Sequence, residues 1–258
     1  MSRKKGAPAE PLVALRNVSK SFGTVTALDG FDLDVRRSEV VSLLGPSGCG
    51  KTTVLSLIAG LTEPTHGTVE WHDPAARDDL GVVFQDATLM PWADVESNVW
   101  LPLRLRGRSK RAARDEVTAV LDMVGLHGFE NAFPRELSGG MRMRVAIARA
   151  LVTRPKLILM DEPFAALDEI TRFRLNADLM RLKTVLDCTV VFVTHSVFES
   201  VFLSDRVLVM TPRPGRVASE VPIEPDGPRD EAFRTSAGYA ALCRTVSTDL
   251  ARAMEEGA

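Results

Sequence analysis

The sequence predicts an α/β fold: a mostly parallel core sheet, a small antiparallel β subdomain near the N-terminus and a helical subdomain inserted midway. Three observations carry this. Short apolar runs at Val40–Leu44, Leu157–Met160, Val190–Val193 and Val207–Met210 read as strands buried on both faces. A Gly-rich turn and helical patterns separate them, the rhythm of an open parallel sheet. From about Pro91 to Ala150 the pattern turns helical and charged.

In chain order, MSRKKGAPAEP is basic and rich in small residues, and no apolar stretch follows to make a signal peptide. It is expected to be a flexible tail over 1–11. Val13–Val18 and Phe31–Val35 alternate like paired strands, with a turn near Gly23. Val40–Leu44 leads into a Gly-rich turn and a helix over Thr52–Ala59 that stops at Gly60. Val82–Phe84 is a further strand. Ser109–Val124 is helical within an insertion spanning about 88–150, and Glu169–Leu186 is a helix between two core strands. Thr211–Asp230, TPRPGRVASEVPIEPDGPRD, reads as an extended crossing to a last amphipathic helix, Glu231–Met254. One domain is expected over 12–210, with a C-terminal extension over 211–258.

The 258 residues, 45% of them hydrophobic, suffice to bury a core. A formal charge of -2 offers no bulk basic field for nucleic acid. The basic run Arg104, Arg106, Arg108, Lys110, Arg111 and Arg114 lacks interleaved aromatic residues and precedes Asp115 and Glu116, so a solvated helix face is expected. No apolar run reaches the ~18–20 residues needed to span a bilayer. Any membrane role is therefore borrowed from a partner. The 3 cysteines show no paired or metal-like spacing, which points to a reducing compartment. Cys188 and Cys243 read as small apolar residues, Met141 and Met143 as packing, and His66, His72 and His127 as surface residues.

The chemistry concentrates in four places. GPSGCGKT, Gly45–Thr52, fits a phosphate-loop pattern between a strand and a helix. Its glycines let successive amides face a β-phosphate, Lys51 supplies a point charge, and Thr52 is placed to ligate Mg²⁺. The nucleotide-binding set is thus Gly45, Pro46, Ser47, Gly48, Cys49, Gly50, Lys51, Thr52 and Thr53. LILMDEP brings Asp161 and Glu162 to a strand's C-terminal end, where ligands bind in open α/β sheets. Asp161 is read as holding Mg²⁺ through water and Glu162 as polarising the attacking water. His195, after Val190–Val193, and Gln85, after Val82–Phe84, reach the same edge. They are read as a γ-phosphate contact and a sensor of Mg²⁺ and water. Finally, LSGGMRMRVAIARAL opens a second helix on Ser138, Gly139 and Gly140, another anion-binding start.

Together these residues resemble the nucleotide-binding subunits of ABC transporters, over about Leu12 to Met210. The resemblance implies a RecA-like core, ATP and Mg²⁺ as cofactors, and two subunits facing head to tail. LSGGM is then the family signature, with Ser138, Gly139 and Gly140 serving the other subunit's ATP. It further implies that Phe22, in KSFG, stacks on adenine where tyrosine is usual. AALD, Ala165–Asp168, matches the loop linking the two sites, and Leu89–Trp92 (LMPW) either lines a groove for a permease or packs locally. VFQDATLMPW, LSGGM and VLVMTPRPGRV resemble importers of nitrate, sulfonates, taurine and related nutrients. Met143, Ala165, Ser196 and Ser200 depart from the usual pattern.

Such a motor implies a homodimer, transmembrane permease subunits and an extracytoplasmic substrate-binding protein, with no nucleic acid. The chain would sit peripherally on the cytoplasmic face of the inner membrane. A soluble ABC ATPase of repair or translation is the alternative. Such members usually fuse two nucleotide domains or insert long coiled coils, which favours the importer here. A phosphate-loop kinase would leave LSGGM unexplained.

Overall fold

A computed structural model describes residues 10–225 and 227–256. It begins with strands β1 (Pro11–Phe22), β2 (Val25–Arg36) and β3 (Val40–Leu44), then helix α1 (Lys51–Ile58) and strand β4 (His66–Trp71). Helix α2 (Pro74–Arg77) and strand β5 (Leu80–Val83) lead to the helical insertion, α3 (Val95–Leu105), α4 (Lys110–Met123) and α5 (Gly139–Leu151). There follow β6 (Leu157–Asp161), α6 (Glu169–Leu186), β7 (Thr189–Thr194), α7 (Val197–Leu203), β8 (Arg206–Met210) and β9 (Val217–Pro222). Helices α8 (Glu231–Arg234) and α9 (Ala237–Glu256) close the described chain.

Two sheets form. The core sheet runs β5-β6-β7-β3-β8-β9, parallel except for β9, and the smaller antiparallel sheet runs β2-β1-β4. Alternation along the core strands feeds two separate hydrophobic cores. Leu157, Leu159, Val191 and Val193 pack with α1 and the small sheet. Ile158, Met160, Val190 and Phe192 pack with α5, α6, α7 and α9. Burial on both faces is why these strands read as unbroken apolar runs.

Several expectations need correction. Pro11 already belongs to β1, so the tail expected over 1–11 ends sooner; residues 1–9 lie outside those described. The small sheet has a third strand, β4, whose largely exposed HGTVEW carries too little apolar alternation to signal itself. Strand β5 starts at Leu80 and stops at Val83, leaving Phe84 exposed beyond it. The crossing over Thr211–Asp230 contains β9, paired antiparallel to β8 at the sheet edge. The last helix is broken: α8 ends at Arg234, and Ser236 accepts the Tyr239 N–H at 3.1 Å to start α9. This extension docks firmly. Tyr239 donates its hydroxyl to Phe198 O at 2.9 Å, and Phe233 packs between Phe202 and Tyr239.

Other local expectations agree with the structure. Gly60 follows α1 with φ +69°, a residue in the left-handed region that ends helices. The basic run is solvated and paired in part, Arg106 with Asp79 and Lys110 with Glu96, but it is not one helix face: Arg104 lies in the last turn of α3, Arg106 and Arg108 lie in the turn, and Lys110, Arg111 and Arg114 begin α4. All three cysteines are buried and unpaired, and Met143 is buried. No described helix is long and apolar enough to cross a membrane.

Candidate nucleotide site

The site grows from the C-terminal end of β3. There the chain turns through Gly45–Gly50 and enters α1 at Lys51. Gly50 has φ +105°, and a Cβ on it would fall 2.7 Å from Leu28 Cδ2 and 2.9 Å from Ala27 O. Glycine alone lets the turn both adopt this conformation and lie against β2. Lys51 is 4% exposed, and its ammonium folds into the loop, donating to Gly45 O and Pro46 O, each at 2.9 Å. Cys49 Sγ lies 3.9 Å from the same nitrogen, and burial pushes that thiol's pKa up, which keeps it protonated and unreactive.

Two strands away, β6 delivers Asp161 and Glu162. Burial raises the Asp161 carboxyl above its ordinary range, outweighing a hydrogen bond from Thr52; the neighbouring Glu162 charge adds to the rise and Lys51 opposes it. Glu162 sits at φ +44°, a conformation held by its N–H donating to Val193 O at 3.0 Å. A non-glycine residue in this region costs about 1 kcal/mol or more. Its carboxylate is suspended between two groups: Oε1 is 3.7 Å from Lys51 Nζ, and Oε2 is 3.0 Å from His195 Nδ1. An ionised carboxylate only accepts, so Nδ1–H is the donor. The His195 turn is braced from behind. Ser196 N–H donates to Thr194 Oγ1 at 3.0 Å, and that hydroxyl donates to buried Glu199 at 2.5 Å. Burial raises the Glu199 carboxyl.

These elements border a cavity of about 480 Å³. Phe22, Val25 and Ala27 line one side; Ser47, Gly48, Gly50, Lys51, Thr52 and Thr53 form the phosphate loop; Gln85, Asp161 and Glu162 lie beyond, with Arg213 at the rim. Gly45, Pro46 and Cys49 are not among the lining residues: the first two offer carbonyls to Lys51, and Cys49 is buried. His195, hydrogen-bonded to Glu162 and half exposed, likewise does not line the cavity. Phe22 is 54% exposed, with Lys20 Nζ 4.9 Å from its ring centroid. Thr52, Asp161 and Gln85 bring hard oxygen donors to one wall, which fits Mg²⁺. No cluster of three His, Cys, Asp or Glu among the described residues completes a cage, so the remaining ligands would be phosphate oxygens and water.

Ser138, Gly139 and Gly140 are not part of this wall. Ser138 Oγ accepts the Met141 N–H at 3.2 Å and caps α5. Asp168 caps α6 through the Thr171 N–H at 3.0 Å, and that bond holds its carboxyl below the usual range. The two caps are neighbours: a Cβ on Gly140 would meet Thr171 Cγ2 at 2.6 Å, whereas one on Gly139 would meet Leu167 Cδ2 at 3.6 Å and Arg142 Nη2 at 3.9 Å. LMPW divides between its two readings. Leu89 packs on the core, while Trp92 is 77% exposed. Buried Asn98 fixes this segment, accepting from Met90 N and donating to Met90 O and Ala93 O. Arg149, in α5, forks onto the Ala87 and Thr88 carbonyls at 3.0 and 2.9 Å.

Val25, Ala27 and Arg213 are lining residues that the sequence reading missed, and Arg213 is the charged one. Its turn follows β8, and β8 lies beside β3, so the exit of one strand meets the phosphate loop leaving the other. Recognising that required the strand order.

A glycine-rich strand-to-helix turn folded around a buried lysine, facing carboxylates from a nearby parallel strand, defines a phosphate-loop nucleoside triphosphatase. The chain belongs to the ABC transporter family, whose profile matches residues 28–165. An uncharacterized ABC transporter ATP-binding protein of Methanocaldococcus jannaschii is 49% identical over 225 residues, covering 84% of this chain and 84% of that protein. The aliphatic sulfonates import ATP-binding protein SsuB 1 of Burkholderia lata is 45% identical over 242 residues, 93% of this chain and 72% of that protein. A dimeric ATP-binding cassette in a post-hydrolysis state, bound to ADP and Pi, matches at TM-score 0.72 and 35% identity, covering 82% of this chain and 99% of that one.

The raised Asp161 carboxyl makes a stability prediction. The fold favours its protonated form, so its charge opposes folding above the raised pKa, and that penalty vanishes once pH falls below the ordinary Asp value of 3.8. Asp161→Asn is expected to stabilise the ligand-free chain at pH 7. In urea melts the gain should shrink steadily as pH is lowered and disappear in acid.

Proposed function

We propose that this chain is the ATP-hydrolysing motor of an importer, acting as a homodimer on transmembrane permease subunits at the cytoplasmic face of the inner membrane. The transported molecule is a small anionic nutrient of the nitrate, sulfonate or taurine kind, handed over by an extracytoplasmic substrate-binding protein. One observation carries the reading. The cavity gathers the phosphate loop, Asp161 and Glu162 but excludes Ser138–Gly140, so a second anion-binding helix start is left over for another copy of the chain. The sulfonate-import relative supports the importer class, and the dimeric cassette supports pairing.

Within one copy, Phe22 stacks on the base and the loop amides cradle the phosphates. Lys51 exchanges its carbonyl partners for phosphate oxygens. Thr52, Asp161 and Gln85 would hold Mg²⁺, which would supply neutralisation of phosphate charge. Glu162 takes the proton of the attacking water, and His195 holds that carboxylate in place through Nδ1. A helix-terminus contact contributes only ~0.3–2 kcal/mol. Ser138 and the two glycines therefore do not hold ATP alone, but they make closure of the dimer depend on it.

Glu162→Gln keeps the shape and removes the charge. ATP should still bind, while turnover with the permease present falls by about 10²–10⁴-fold, the usual contribution of a general base. Near-normal turnover would exclude that role.

Fractionation tests the membrane assignment. Expressed with its permease the chain should sediment with membranes, and alone it should remain in the supernatant. Co-purification with ribosomes or nucleic acid would replace this reading with the repair or translation ATPase.

The pairing is testable in mixed dimers. Lys51→Ala disables one loop. Gly139→Asp disables the partner contact: a Cβ there has room in its own chain, 3.6 Å from Leu167 Cδ2 and 3.9 Å from Arg142 Nη2, while the carboxylate would repel a phosphate at ~4 Å by up to a few kcal/mol, less whatever Arg142 neutralises. Action across the dimer predicts that tagged heterodimers occlude ATP at one intact site per dimer, whereas neither homodimer does. Equal occlusion in all three would sink it.

A further inference from the structure

The turn leaving β8 is built into both sides of the cavity. Thr211 N–H donates to Arg216 O at 3.0 Å, and Thr211 Oγ1 bonds Pro214 O at 3.1 Å, closing the turn on itself. Gly215 N–H donates to Ala27 O at 2.9 Å, and Asp29 N–H donates to Gly215 O at 3.2 Å. Arg216 pairs with the Asp29 carboxylate, Nε at 3.1 Å. On its other side Gly215 presses so close to the phosphate loop that a Cβ would lie 2.0 Å from Cys49 O. The turn is thus pinned to the strand that borders the base side and to the loop that would cradle phosphate.

From this anchored position Arg213 reaches the rim. Its Nε and Nη2 both donate to Gly48 O, at 3.1 and 2.9 Å, and its side chain lines the cavity with Gly48, Lys51, Asp161 and Glu162. Two of the five guanidinium N–H groups are used on that carbonyl, leaving three to give. The charge balance matters as much. The charged side chains lining the cavity are Lys51 and Arg213 against Asp161 and Glu162, two positive and two negative. Without Arg213 the wall would carry one positive and two negative charges, a net -1 facing a polyanionic ligand. Arginine keeps its proton throughout the accessible pH range, so the balance does not depend on titration.

We propose that Arg213 is a nucleotide-binding residue, whose free N–H groups and charge engage the phosphates of the bound nucleotide. The turn over 211–216 is then a second phosphate-binding element beside the loop over 45–52. This deepens the reading of the cavity as an ATP site and rests on it. The rival role is purely mechanical: Arg213 holds Gly48 in place and never meets the ligand.

Calorimetric titration of the full chain with ATP and with ADP separates the two. Arg213→Gln should weaken ATP by about three- to tenfold, as expected for a partly exposed charge facing several negative oxygens, and should flatten the salt dependence of binding. Arg213→Lys, which restores the charge, should recover most of the affinity and the salt slope. ADP should lose less than ATP, because it carries less negative charge. ATP binding within twofold of the unmodified chain in Arg213→Gln, or weaker binding with an unchanged salt slope, would overturn the proposal. Lys51→Ala serves as the reference for a damaged phosphate site. Should the unmodified chain itself bind no ATP, the nucleotide reading falls first; should it bind ATP with Arg213→Gln indifferent, only the assignment of Arg213 falls.

Discussion

A single buried cation organises this site. The ammonium of Lys51 is almost wholly withdrawn from water, and a charge so placed is tolerable only if it is fully partnered. Its partners are the carbonyls of Gly45 and Pro46 and, at 3.7 Å, the carboxylate of Glu162. The loop closes on its own lysine. The same nitrogen reaches toward β6, so loop and carboxylates hold one another in register before any ligand arrives. Glu162 in turn is shared with His195, which carries the constraint on to the end of β7. Phosphate binding is therefore an exchange of partners around a charge already desolvated. That exchange is far less costly than stripping water from a free lysine.

The sheet explains why these groups meet. β3 lies between β7 and β8, and β6 flanks β7, so parallel pairing brings four strand ends to one edge. Each strand is clamped by hydrophobic contact on both faces, and the site residues emerge where that clamping stops. The strained backbone of Glu162 sits at this boundary. Rigid strands immediately upstream and a bond to Val193 O over-determine its conformation, a requirement for holding a non-glycine residue in the left-handed region.

What was legible in the sequence follows from this architecture. Doubly buried strands and the Lys51 loop leave strong local patterns, so β3, β6, β7 and β8 and the meeting of Lys51, Thr52, Gln85, Asp161 and Glu162 could be anticipated. Edge strands leave weak ones. β4 is largely exposed and β9 half exposed, and β9 sits in a proline-rich stretch that reads as a crossing. Arg213 was invisible for a different reason: its place depends on β8 lying next to β3, a long-range pairing that no window of residues contains. The departures from the family pattern were legible as departures but not in their local use. Ser196 caps α7 by accepting the Glu199 N–H, and Ser200 bonds Val197 O within the helix, so each has a partner inside this fold.

The fork of Arg149 gives α5 a mechanical character. Its 13 residues span roughly 20 Å at 1.5 Å per residue. One end begins at Ser138, and the other is riveted to Ala87 and Thr88, two and three positions beyond Gln85. A rigid rod fastened in this way cannot tilt at one end without displacing the other: a rotation of about ten degrees would move a tip by ~3 Å, comparable to a hydrogen-bond length. Trp92 and its loop lie a few residues further along the same tethered segment, held by Asn98. The exposed loop at Trp92, the segment that follows the cavity-wall glutamine and the C-terminal end of α5 are thus joined by direct hydrogen bonds into one tethered unit at the surface.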